Sequence, residues 1–169
     1  MRLLPILLLC LTFASSCLAQ KKGGTITIKG RVTTTADYCG GAAPSEEMLE
    51  QLRTPQPAVR KVILVKYGTV NAESLRVVKR IVTDSNGHFS VTLKKGFDYQ
   101  FVEEWKAQPF RVPANTEFVK WDAACLQKRY ATPDAVCRKK QRGGTVDMNF
   151  HQPCFFHPYC GGYSGPLPP

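Results

Sequence analysis

Four residues near the C-terminus, His151, Cys154, His157 and Cys160, recur at every third position, and each is a competent ligand for zinc or copper. Geometry weighs against one shared ion. Pro153 and Pro158 oppose a continuous helix, and in a polyproline-like strand residues three apart lie about 9 Å apart along the axis. Ligands about 2.0–2.3 Å from a single zinc would require the segment to reverse twice. A Cys154–Cys160 disulfide asks for one reversal, which the intervening Phe-Phe-His-Pro-Tyr supplies. The segment is therefore expected to be a disulfide-locked clasp, with metal binding through the His/Cys tail as the alternative chemistry.

Of the seven cysteines, Cys10 and Cys17 fall within an N-terminal export signal, leaving Cys39, Cys125, Cys137, Cys154 and Cys160. An oxidising compartment favours disulfides, and an odd set leaves one thiol over. Pairing near neighbours joins Cys125 to Cys137 and Cys154 to Cys160, leaving Cys39. The repeated Tyr38-Cys39-Gly40-Gly41 and Tyr159-Cys160-Gly161-Gly162 offers a competing Cys39–Cys160 bridge that leaves Cys154 free. Spacing leaves the connectivity open.

A second chemistry lies in the basic stretch from Lys120 to Arg142. Its candidate ligand-binding residues are Lys128, Arg129, Arg138, Lys139, Lys140 and Arg142, around Trp121 and Tyr130. Cations beside rings can hold nucleic acid through phosphate contacts and stacking, but export argues against that partner. An envelope glycan, a lipid head group or an acidic surface protein remains, beside the plainer reading of a solvated face.

Enzyme signals are sparse. The chain has no G-x-S-x-G elbow, no H-E-x-x-H, no P-loop and no G-x-G-x-x-G after a strand. His88, His151 and His157 are its histidines. Glu103 and Glu104 beside Trp105 resemble a carboxylate pair, but neighbours on a strand point to opposite faces and cannot flank one bond. Calcium at Asp84-Ser85-Asn86-Gly87 lacks further oxygen ligands and a closing Glu. No catalytic residue and no cofactor are expected; a hydrolase of unknown substrate stands as a second alternative.

Elements must position these groups. The chain has 169 residues, 43% hydrophobic and 21% charged, with 13 Gly, 12 Pro and a formal net charge of +10, a composition that excludes disorder and favours a turn-rich β protein. Met1-Arg2 and the apolar run Leu3–Phe13 precede Ala14-Ser15-Ser16-Cys17-Leu18-Ala19, the pattern of a secretory signal cleaved after Ala19. Lipidation at Cys17 is the alternative, disfavoured by Ala14 where a lipobox prefers Leu. The apolar run is too short to span a bilayer. The mature product is expected in the periplasm, outside the cell or on its surface.

Strands are expected at Thr25–Thr33, Lys61–Tyr67, Arg76–Thr83, His88–Leu93, Tyr99–Val102 and Thr145–Phe150, from alternation or short apolar runs between turn residues. Asp84-Ser85-Asn86-Gly87 marks a tight turn. Ser45–Arg53 has helix chemistry, with Ser45 as cap and Glu46 and Glu47 in the first turn. Thr132-Pro133 is suited to start a second short helix.

Ile28-Lys29-Gly30-Arg31-Val32, Thr83-Asp84-Ser85-Asn86-Gly87-His88-Phe89 and Gly96-Phe97-Asp98-Tyr99 together resemble the carboxypeptidase regulatory-like domain of small exported bacterial proteins, which pairs a G-x-V opening with a T-D-x-x-G-x-F turn and a G-x-Y strand start. The resemblance covers Thr25 to Val102 and implies an all-β, transthyretin-like antiparallel β-sandwich that serves as a non-catalytic accessory module. The expected organisation is a signal over 1–19, a sandwich over 20–150 with insertions at 37–57 and 109–142, and a Cys/Pro/Gly-rich tail over 151–169 packed on the domain. The expected function is an exported binding or structural module of the envelope, recognising anionic ligands.

Overall fold

Ile26, Ile28, Gly30 and Val32 alternate with Thr25, Thr27, Lys29 and Arg31, burying one side of the first strand, β1 (Thr25–Ala36), and exposing the other. The structure, a computed structural model, describes residues 23–141, 143–155 and 158–166; the expected signal, Cys17, Arg142 and His157 lie outside them. After β1 come α1 (Glu46–Arg53), β2 (Gln56–Pro57), β3 (Val62–Tyr67), β4 (Val77–Val82), β5 (His88–Lys94), β6 (Tyr99–Glu103) and a 3-10 turn (Glu104–Ala107). Then follow β7 (Val119–Trp121), α2 (Ala123–Ala131), β8 (Ala135–Cys137), β9 (Gly144–Gln152) and β10 (Gly161–Tyr163).

Two sheets face each other. In the first, β1 pairs antiparallel with β5 and β2 and parallel with β9. The second runs β4-β3-β6-β8, antiparallel throughout. Ile26, Ile28, Phe89, Val91, Leu93, Val146 and Met148 of the first meet Ile63, Val65, Ile81, Tyr99, Phe101 and Cys137 of the second in one apolar cluster. The result is a mostly β protein with sandwich-like layering.

The two halves of the sequence signature meet as two sides of one contact. Gly30 sits in register between Phe89 on β5 and Val146 on β9, and a Cβ there would strike the Phe89 ring and the Val146 carbonyl. Two residues on, the Val32 amide donates to the Gly87 carbonyl at 2.8 Å. Gly87 has φ +74°, and its missing Cβ leaves room for the Val32 carbonyl. Asp84 Oδ1 accepts from the Asn86 and His88 amides at 2.8 Å each, closing the turn. These amide bonds, His88 first, hold the Asp84 carboxyl below its ordinary pKa.

The second sheet is also covered on its outer side. Leu64, Lys66, Gln100 and Val102 alternate with the core residues yet are buried. Lys66 Nζ donates to Asn71 Oδ1 at 2.9 Å, and Asn71 Nδ2 donates to the carbonyls of Lys106 and Tyr130, both at 2.9 Å. Gln100 Nε2 donates to the Tyr67 and Val70 carbonyls. These bonds fasten the 3-10 turn, α2 and the loop after β3 over the sheet as a third layer. Burial on both faces is why Val62–Val65 is continuously apolar.

The expectation of a wholly antiparallel sandwich is corrected at β1–β9, where nine register pairs from Ile28↔Gly144 to Ala36↔Gln152 run parallel. Residue alternation is blind to strand direction, and a long crossover through the third layer permits the parallel return. The second helix does not start at Thr132 but ends there. Asp122 caps α2 by accepting the Cys125 amide at 3.0 Å, and Thr132 closes it on the Lys128 carbonyl. The 109–142 insertion also contributes a core strand, β8, on the edge of the second sheet.

The expected cysteine pairings are corrected as well. The disulfides are Cys39–Cys154 and Cys125–Cys160, each with Cα atoms 5.4 Å apart. Parallel pairing carried to Ala36↔Gln152, extended by Asp37 N–H to the Gln152 carbonyl at 3.0 Å, delivers Cys154 to Cys39. Pairing of β10 with β7, with the Asp122 amide on the Cys160 carbonyl at 2.8 Å, delivers Cys160 to the first turn of α2. Cys154 and Cys160 are thus drawn to different elements, and the single clasp becomes two staples. Cys137, a candidate half-cystine, is instead a free thiol buried in the core, where burial pushes its pKa up. Two disulfides fit an oxidising, exported compartment. Among the described residues no helix is long and apolar enough to cross a membrane.

Candidate functional site

A cleft of about 440 Å³ opens between the 3-10 turn, the segment after it, α2 and the tail, a size suited to a small ligand. Trp105, Phe110, Trp121, Tyr130 and Tyr159 supply rings; Arg111 and Arg129 supply its charge. Arg129 sits on the last turn of α2, its guanidinium carbon 3.6 Å from the Tyr159 ring centroid and 5.4 Å from that of Trp105. Held between two π faces, the guanidinium is oriented, and among the described residues no carboxylate forms an ion pair with it.

Polar bonds beneath the cleft fix its walls. Trp105 Nε1 donates to Glu103 Oε2 at 2.9 Å, while Glu103 Oε1 meets Lys61 Nζ at 2.6 Å. Tyr130 donates its hydroxyl to the Gln108 carbonyl at 3.0 Å and packs its ring 5.2 Å from Phe110. Lys106, buried, pairs with Asp134 at 2.6 Å and also donates to the Thr132 carbonyl. Burial raises the pKa of Asp134 despite that partner. Burial also pushes the Tyr130 and Tyr159 phenols up.

Trp121, Arg129 and Tyr130 from the sequence-derived set therefore share one cleft. Lys128 is exposed on α2. Arg138, Lys139 and Lys140 follow β8 at its Cys137 end, whereas α2 and Asp134 precede it, and none of the three lines the cleft. Glu103, set aside above as half of a carboxylate pair, is engaged by Lys61 and Trp105. His151 has Nε2 2.9 Å from Asp37 Oδ1 and Nδ1 3.2 Å from Thr35 Oγ1. With Cys154 and Cys160 in disulfides, the alternative metal set of His151, Cys154, His157 and Cys160 loses both thiolates. Sequence reasoning missed Phe110 and Arg111 as lining residues. The available signal was the density of proline and aromatic residues over 105–121 and 153–163, where rigid turns present rings.

No protein-family model and no curated protein matches the chain. Among solved structures, the major plantain pollen allergen Pla l 1 is similar at 10% identity and a TM-score of 0.31, covering 75% of this chain and 94% of that one, a likeness too slight to carry a conclusion.

Proposed function

We propose that this chain is a non-catalytic, exported binding module of the cell envelope, built on a transthyretin-like sandwich of the carboxypeptidase regulatory-like kind. The cleft on its third layer binds an acidic ligand with a flat apolar face, and anionic glycans are the envelope class offering both. The observation that carries the reading is Arg129 stacked between Tyr159 and Trp105 in a ring-lined cleft. Aromatic faces take the C–H side of a sugar ring, and the guanidinium takes its carboxylate or sulfate. The Gly30–Phe89 and Val32–Gly87 contacts support the family reading, because they give its signature residues a shared structural purpose.

The test is titration of acidic and neutral oligosaccharides of one length, followed by the fluorescence of Trp105 and Trp121. Acidic oligosaccharide should bind, and Arg129→Gln should weaken it about tenfold or more, the worth of a charge-assisted hydrogen bond, without changing the weak binding of the neutral one. Equal affinity for both oligosaccharides, or indifference to Arg129→Gln, would overturn the proposal.

A further inference from the structure

A second surface lies away from the cleft, at the other end of β8. Lys94 ends β5; Lys95, Gly96 and Phe97 form the turn into β6; Arg138, Lys139 and Lys140 follow β8. The Tyr99↔Cys137 pair and the Lys139 amide on Asp98 Oδ1, at 2.6 Å, bring these two turns side by side. Their basic side chains are exposed and form no ion pair among the described residues. At the tip stands Phe97, 48% exposed, its ring resting 5.2 Å from that of Tyr67.

We propose that this end, through Lys94, Lys95, Phe97, Lys139 and Lys140, docks the protein on an anionic phospholipid surface. Three observations converge on a bilayer as the occupant. Several exposed cations sit on adjacent turns with a single carboxylate, Asp98, among them, and each basic group near an anionic leaflet adds to attraction. An exposed aromatic ring amid lysines suits the boundary between head groups and acyl chains. The chain also enters the sandwich here: Thr25 pairs with Lys94, and the Lys95 amide donates to the Gly24 carbonyl at 2.8 Å. The sequence before Gly23, with Cys17 as the alternative site of lipidation, therefore joins the domain at this same end. A tether through Cys17 would present these lysines to the lipid, leaving the cleft on the third layer open to ligand.

The test uses the protein beginning at Gln20, which lacks Cys17 and contains every described residue, and co-sediments it with vesicles. Vesicles of equimolar phosphatidylcholine and phosphatidylglycerol should bind it; pure phosphatidylcholine vesicles should not. At about fivefold per basic residue, Lys139→Gln with Lys140→Gln should weaken binding about thirtyfold. Phe97→Ser should weaken it about tenfold, while Phe97→Leu, which keeps an apolar tip, should restore it. Equal binding to neutral vesicles, or wild-type binding by the lysine variant or by Phe97→Ser, would overturn the proposal. So would equal loss in Phe97→Leu and Phe97→Ser, which would assign the effect to folding of the turn.

Discussion

Replacing Cys125 and Cys160 together by serine should separate the stability of the sandwich from the integrity of the cleft. The bridge spans 35 residues of sequence, for which the chain-entropy relation gives about 3.8 kcal/mol. That is a large share of the roughly 5–15 kcal/mol by which a domain is stable. The loss should be local as well as global. Without the bridge, the tail is fastened to α2 by the Asp122–Cys160 backbone bond and the three rungs of the β7–β10 ribbon, and a two-stranded ribbon is marginal alone. Tyr159, adjacent to Cys160 and stacked on Arg129, would lose its fixed place. Urea unfolding should show a drop approaching about 3.8 kcal/mol. Hydrogen exchange should accelerate in β7 and β10 while β1, β3 and β6 stay protected. Unchanged stability, or unchanged exchange in β10, would refute the view that this bridge builds the cleft wall.

Gly30→Ala should cost about 3 kcal/mol, the upper range for overpacking, because the added Cβ meets the Val146 carbonyl and the Phe89 ring; denaturant melting checks it, and a neutral result would mean the β1–β9 ladder is misplaced. Thiol titration of the chain from Gln20 should find no fast-reacting thiol in the native protein and one, Cys137, after denaturation without reductant; a linked Cys154–Cys160 peptide would restore the single clasp. On the acid side two carboxyls act oppositely. Asp84, held low by the His88 and Asn86 amides, gives stability that is complete above its unfolded pKa of about 3.9 and lost as pH falls through its folded value. Asp134, held high by burial, burdens the fold when ionised, and acidification through its folded value relieves that burden. Asp84→Asn should therefore flatten the acid limb of stability against pH and Asp134→Asn steepen it.

What could be read from the residues, and what could not, divides along the distance between partners. Alternation at Thr25–Thr33 and His88–Leu93, the helix cap at Ser45 and the turn at Asp84–Gly87 are local signals, and each produces its element where expected. The signature itself is half local: the turn can be recognised alone, but the reason for Gly30 lies 59 positions away in Phe89. Strand direction, disulfide partners and the cleft have no local signature. The parallel β1–β9 ladder decides that Cys39 meets Cys154, and the β7–β10 ribbon decides that Cys160 meets Cys125. The cleft exists because those two decisions bring the tail against α2. A residue such as Arg129 can be singled out for its charge, but its working geometry comes from Trp105 and Tyr159, contributed by separate segments. The two disulfides therefore do more than restrict the unfolded chain: each joins a segment with weak intrinsic structure to the sandwich, and the proposed binding site is assembled from the segments so joined.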